Sequence, residues 1–255
     1  MKLNLPEALL LLSIDSKGNN QHRHLAYFSY SLASAVLLEL LLTNRISFDE
    51  HKNIIVNPNI HLSDELLEEL LIFCSVPNST IYWTKLKKNS VAETPTEWVK
   101  IIHQFPKLQK RYYQKLIDKN IISKRVKKIV GLFSHIQFPI ENTASKNEII
   151  LRIKQLIDKQ DTSPTLRELM LLSLVKSAKL LQDILGIKLS EVKKVEEQVQ
   201  EILHQKYAFN ELDNSLRLFL NKDWEEINEL LETIIDITDS LSNITGDGGM
   251  DGGDA

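Results

Sequence analysis

Lys107, Lys110 and Arg111 follow one another at helical spacing, and shortly after them Lys124, Arg125, Lys127 and Lys128 crowd around a single valine, Val126. Ammonium and guanidinium groups in such a cluster suit the phosphate oxygens of an anionic surface. Near a charged bilayer each contributes about 1 kcal/mol, and a small apolar residue among them can dip between head groups. Arg23 and His24, far upstream, are further candidates to supply charge. The same pattern fits a winged helix, in which a recognition helix enters the DNA major groove and a hairpin touches phosphates. Yet the basic helix also carries Tyr112, Tyr113, Leu116 and Ile117, which leaves few polar side chains to read base edges. The bilayer reading is therefore preferred, and no nucleic-acid partner is expected.

Catalytic patterns are scarce. The histidines His22, His24, His51, His61, His103, His135 and His204 form no HExxH motif. No cysteine or carboxylate lies close enough in sequence to His22 and His24 to complete a chelating set, so these read as exposed loop histidines. GxGxxG, GxxxxGK and GxSxG are all missing from the sequence. Cys74 is the single cysteine, which excludes an internal disulfide and multi-cysteine metal sites and suits a reducing compartment. Glu39, alone in an apolar helix, is expected to pair with a cation such as Arg45 rather than act as a general acid. The expectation is a non-enzymatic protein with no cofactor and no metal site.

The elements that must carry these residues are mainly α. Leu25 to Leu42 is apolar nearly all round, which is how a helix enclosed by other helices reads. A single-domain helical bundle around that buried central helix, with short β-hairpins, is the expected fold. Residues 45–49 and 53–56 flank a polar turn and predict a hairpin. Ser63 offers an N-cap for a helix whose inward stripe is Leu66, Leu67, Leu70, Leu71 and Cys74. A short strand is read at Thr80 to Thr84, a helix from Thr96, and the basic helix from Lys107 to Lys119. Residues 121–130 read as a hairpin with a basic tip, extended by 131–133 and 136–140 until Pro139 stops it. Ser163 can cap a helix that begins at Pro164 and ends at Gly186. Another starts at Ser190, and Asp223 with Glu226 has capping-box spacing before a last apolar stripe at Trp224, Ile227, Leu230, Leu231 and Ile234.

Charge is segregated along the 255 residues. From Lys85 to Lys128 there are 13 Lys or Arg against 3 acids, whereas Glu191 to Ala255 holds 16 acids against 5 bases. A basic middle beside an acidic end points to a surface that meets anions. The sequence contains no uninterrupted apolar run of about 18 residues, so no spanning helix is expected. Lys2 is the only basic residue near the start, and Pro6, Glu7 and Asp15 interrupt the apolar stretch, which disfavours a secretory signal. The tail from Gly246 to Ala255 is too polar and glycine-rich to fold by itself.

Several landmarks together resemble the Golgi phosphoprotein 3 family, which includes many bacterial members. Leu9-Leu-Leu-Leu-Ser-Ile-Asp-Ser-Lys-Gly18 is similar to the family's opening strand-like segment. Leu37-Leu-Glu-Leu-Leu-Leu-Thr-Asn-Arg-Ile46 is similar to the end of its central helix, with Asn44 where a glycine is usual. Trp98-Val-Lys-Ile-Ile102 is similar to its Trp-led helix, and Leu116-Ile-Asp-Lys-Asn-Ile-Ile122 with Leu132, Phe133 and Pro139 to the stretch through its hairpin. The resemblance covers roughly residues 3–205. It implies a peripheral membrane protein that binds phosphatidylinositol 4-phosphate, whose eukaryotic members also recognise cytoplasmic tails of glycosyltransferases. The family's lipid pocket uses one tryptophan and three arginines, and the matching positions here hold His24, Ala33, Pro106 and Gln109. Lys107 and Lys110 keep the three-residue spacing one position along, with Arg23 and Arg111 as neighbours. Lysine lacks the planar fork of arginine, so a looser preference for anionic lipid is what the resemblance implies here.

The resulting expectation is a cytoplasmic protein, reversibly membrane-associated, of bacterial type. Residues 1–205 would form the family domain, 206–245 additional acidic helices, and 246–255 a disordered Gly/Asp tail. Its lipid site would be Arg23, His24, Lys107, Lys110 and Arg111, and its membrane hairpin Lys124, Arg125, Val126, Lys127 and Lys128. Two alternatives stand beside this: an adaptor acting through the acidic C-terminal third on an unidentified protein partner or a second copy, and the winged-helix nucleic-acid binder.

Overall fold

The computed structural model describes residues 3–49, 51, 53–75, 93–128, 134–159, 164–204, 236 and 240. The expected strand at 80–84, the Ser163 cap, residues 129–133 of the expected hairpin stretch and, but for Asp236 and Ser240, the expected acidic helices and tail lie outside them. Among the described residues there are nine helices and two two-stranded antiparallel sheets, so the fold is mainly α as expected.

The chain opens with helix α1 (Leu5–Leu12), not with a strand. Asn4 and Glu7 form a reciprocal capping box and Pro6 occupies the first turn, where its missing N–H costs nothing. Every residue of α1 is buried. Helix α2 (Ala26–Leu42) is the predicted central helix: it packs against α1 and, further along the chain, against α3 (Glu65–Ser75), α4 (Pro95–His103) and α7 (Leu166–Ser177). Its serines and alanines allow close approach on all sides, and Ser31 Oγ meets Ser177 Oγ across the α2–α7 contact at 3.1 Å.

The first hairpin forms as read, with β1 (Ile46–Phe48) paired to β2 (Ile54–Val56). In α3 the stripe from Leu66 to Cys74 is buried as predicted, but Asp64 rather than Ser63 caps it, accepting from the amides of Leu66 and Leu67. Burial pushes the Cys74 thiol up, which makes it a poor nucleophile. Helix α4 starts on a second capping box, Thr94 with Glu97, and α5 (Leu108–Asp118) is the basic helix.

The second hairpin differs from expectation in one respect that matters for function. Strand β3 (Arg125–Lys128) pairs with β4 (Ser134–Gln137), and an isolated bridge joins Ile122 to Ile140. The basic residues therefore run along the first strand and its approach, not around the tip. Beyond it come α6 (Thr143–Ile157), α7, α8 (Leu181–Leu185) and α9 (Leu189–His204). The helix expected from Pro164 to Gly186 is two helices. Thr165 caps α7, and Lys179 at φ 53° breaks the chain before α8, which ends on Gly186 at φ 67°.

Among the described residues, four helices end through a left-handed residue that is not glycine: Asn44, Asn120, Lys159 and Lys179. In three of them the next amide closes a Schellman bond, Arg45 to Leu40 O, Ile121 to Leu116 O and Leu180 to Val175 O. Asn44 thus fills a position at φ 56° where asparagine is tolerated and glycine is the usual choice.

The charges in the core pair across long sequence distances. Glu39, only 4% exposed, receives Arg167 in a two-pronged contact at 2.7 and 2.9 Å and the Leu5 amide at 2.8 Å. Arg45, its expected partner, turns instead to Glu68 at 2.8 and 3.0 Å. A residue's immediate neighbours in sequence are not its neighbours once α7 folds over α2.

Candidate functional site

The loop from Ser13 to Leu25, between α1 and α2, is shaped by its own side chains. Asp15 accepts from the amides of Lys17 and Asn19 at 2.8 Å. Burial works against its charge, but these amides and the Asn19 side chain prevail and hold the carboxyl below its ordinary value. Asn20 donates to Ser13 Oγ at 2.8 Å and to Tyr113 Oη at 3.1 Å, which ties the loop to α5.

Tyr113 is where three predicted segments meet. It comes from the basic helix, accepts from the loop, and stacks on Phe138 just past β4, with ring centroids 3.8 Å apart and planes 6° from parallel. Burial raises its phenol pKa; hydrogen bonds from the Asn20 and Gln109 side chains and the Arg23 charge partly offset that rise. The hairpin is fastened to the loop as well. Phe138 N–H donates to Gly18 O at 2.6 Å, while the His135 ring and the Gln137 amide both meet Asn19 Oδ1, at 2.8 and 3.2 Å. The sequence reading missed Tyr113, Asn20 and Asn19 as connectors; their only signal was polar groups flanking apolar runs.

Of the predicted residues, Arg23 and His24 sit together in the loop, with Arg23 Nε donating to His24 Nε2 at 2.8 Å. His24 is exposed, but His22 is not the free loop histidine expected: its ring meets Asp183 at 2.7 Å and Tyr27 Oη at 3.2 Å. Lys107 precedes α5 at φ 58°, and Lys107 and Lys110 are both exposed. Arg111 is drawn away. Its guanidinium grips Glu69 of α3 with both prongs and lies 5.2 Å from the Phe105 ring centre. The Glu69 hydrogen bond raises the arginine pKa and lowers that of the glutamate. Lys115 and Lys119, further along α5, are likewise engaged, Lys115 with Asp64 and Lys119 with both oxygens of Glu7 at 2.6 Å.

The start of α5 keeps polar hydrogens available. The Leu108 amide goes to Phe105 O and the Arg111 amide to Lys107 O, but among the described residues the Gln109 and Lys110 amides have no backbone acceptor outside the helix. The buried Gln109 carboxamide faces the Tyr113 phenol. A helix N-terminus flanked by two lysines, with amides left over, favours an anion.

On the hairpin, Arg125 pairs with Gln137, Val126 with Ile136 and Lys127 with His135. Because successive side chains alternate, His135 and Gln137 point toward Asn19 while Val126 and Ile136 project together on the other side. Val126 is 55% and Ile136 37% exposed; Arg125 and Lys127, on the side of Gln137 and His135, are exposed as well, as is Lys124 before the strand. Among the described residues no group of His, Cys, Asp and Glu could hold a metal ion, and no helix is long and apolar enough to cross a membrane.

A mainly helical core that carries a basic helix and a basic hairpin locked to one loop defines the class of the protein. A sequence model of the Golgi phosphoprotein 3 (GPP34) family matches residues 5–217, so the chain belongs to that family. No curated protein matches it.

Proposed function

We propose that this chain is a non-enzymatic peripheral membrane protein that binds anionic lipid head groups, phosphatidylinositol 4-phosphate being the family's ligand. One observation carries the reading. Tyr113 binds the Arg23 loop, the start of α5 and the hairpin into one unit. In that unit Lys107 and Lys110 flank the α5 N-terminus, and the strand that carries Val126 of the outward Val126–Ile136 pair holds the exposed cations Arg125 and Lys127 on its other face, with Lys124 just before it.

A phosphate would be held by the α5 amides and the two lysines, with Arg23 adding charge. The hairpin would press its apolar pair among the head groups while its cations meet lipid phosphates. Arg111 has no part in this, because Glu69 neutralises it. Lysines and amides hold phosphate oxygens with less geometric selectivity than an arginine fork, so a broad preference for anionic lipid follows. Attachment of this kind is reversible and weakened by salt. The winged-helix alternative gains nothing, since Arg111, Lys115 and Lys119 all face carboxylates.

Vesicle flotation tests the reading. Recovery with vesicles containing phosphatidylserine or phosphatidylinositol 4-phosphate, absent with phosphatidylcholine alone and lost at about 1 M salt, where the Debye length falls to about 3 Å, is the expected result. Equal recovery with neutral and anionic vesicles would overturn it.

A further inference from the structure

Between α1, α6 and α7 lies a cavity of about 470 Å³, on elements that the proposed membrane site does not use. Leu3, Leu5, Ala8, Ile149, Ile153 and Leu171 give it an apolar wall. A cavity of about 150 Å³ accepts a benzene ring, so this one has room for an aliphatic chain of about a dozen carbons.

Its polar edge carries Arg152, Arg167, Glu148 and Glu168, and the buried Glu39 lies behind Arg167. Arg167 is held by the buried Glu39 at 2.7 Å and Arg152 by Glu168 at 2.5 Å. Burial opposes the Glu168 charge, but Arg152 and the Thr165 amide and hydroxyl outweigh it and keep the carboxyl below its ordinary value. Each guanidinium thus already has its own carboxylate. Glu148, exposed and also lining the cavity, forms no ion pair among the described residues. With Glu39 behind the wall included, two cations therefore stand against three carboxylates. A ligand entering tail first would leave its head beside Glu148, where a positive charge is favoured and a negative one is not.

We propose that this cavity binds a single-chain amphiphile with a cationic head, its aliphatic tail lying between α1, α6 and α7. The tail supplies affinity by leaving water, and the head is selected by the surplus carboxylate. The proposal is independent of the lipid-surface reading, since no residue is shared.

Calorimetric titration of the full chain below the micelle concentration tests it, with decyltrimethylammonium and decanesulfonate as probes. Saturable one-to-one binding of the ammonium is expected, tenfold or more tighter than the sulfonate. The octyl homologue should bind about tenfold more weakly, as expected for two fewer buried methylenes. Glu148→Lys, at an exposed position, should erase the preference between heads. Ile149→Trp should block the tail. If that variant fails to fold, photolabelling of the unaltered protein by a diazirine-bearing alkylammonium places the tail instead, with adducts expected on the lining residues. Absence of saturable binding, equal affinity for the sulfonate, or adducts confined to other elements would overturn the proposal.

Discussion

Val126 stands directly across from Ile136 in the β3–β4 ladder, and the two side chains project away from the side on which His135 and Gln137 meet Asn19. His135 and Gln137 thereby fix the hairpin to the body of the protein, and the Val126–Ile136 face is left to solvent. This arrangement lets a short, otherwise marginal two-stranded sheet hold an apolar pair in a fixed place.

The anchoring depends on Gly18. It has φ 81°, and a Cβ built there would lie 2.7 Å from Pro139 N and 2.8 Å from Phe138 C, both backbone atoms that cannot move aside cheaply. Gly18→Ala is expected to cost about 1–3 kcal/mol, from left-handed strain and the close contact together. A thermal melt should show a lower midpoint, and vesicle flotation of the folded variant should weaken because the hairpin is displaced.

Along α5 the lysines divide into two roles. Lys107→Ala with Lys110→Ala should leave the melt unchanged and weaken binding to anionic vesicles by about thirtyfold, at about 1 kcal/mol for each charge. Lys119→Ala should do the reverse. It leaves Glu7, which is 0% exposed, without its nearest cation, and is expected to cost about 3 kcal/mol of stability with little change in flotation of the folded protein.

The Glu39–Arg167 pair offers a test by subtraction. Arg167→Met strands a buried carboxylate and should destabilise by about 3 kcal/mol, whereas adding Glu39→Leu to it should recover most of that loss. The Leu5 amide, which also donates to Glu39, sets how far the recovery can go. Chemical denaturation of the three proteins measures it.

Arg45 and Glu68 give a pH signature. The Arg45 hydrogen bond holds the Glu68 carboxyl below its ordinary value of 4.5. A group whose folded pKa is depressed contributes stability that is full above the unfolded value and is lost as pH falls through the folded one. Stability should therefore decline below about pH 4.5, and Glu68→Gln should flatten that part of the curve, read by urea unfolding across pH.

Much of this fold was legible because it is locally encoded. A helix apolar on every face could only be central, and the α3 stripe and first hairpin followed from their periods. The opening helix was not legible: Leu9 to Leu12 is a short apolar run without a period, and such a run suits strand or helix alike. The Asn4–Glu7 capping box was the better signal. For the candidate site, the concentration of positive charge could be read, but not its division. Glu7, Asp64 and Glu69, which neutralise Lys119, Lys115 and Arg111, are 42 to 112 residues away in the chain, and only folding brings them to α5. The basic hairpin tip became a basic strand because the Ile122–Ile140 bridge and the β3–β4 register start the ladder earlier than the charge pattern suggested.

Contact of the Val126–Ile136 face with lipid can be measured on a single labelled residue. Cys74 is the only cysteine and is 3% exposed, so a Val126→Cys variant takes an environment-sensitive fluorophore at that position alone. On anionic vesicles the emission should shift to the blue and be quenched by acyl-chain quenchers, with neither change on neutral vesicles. Emission that stays unaltered while the labelled protein floats with anionic vesicles would contradict the account.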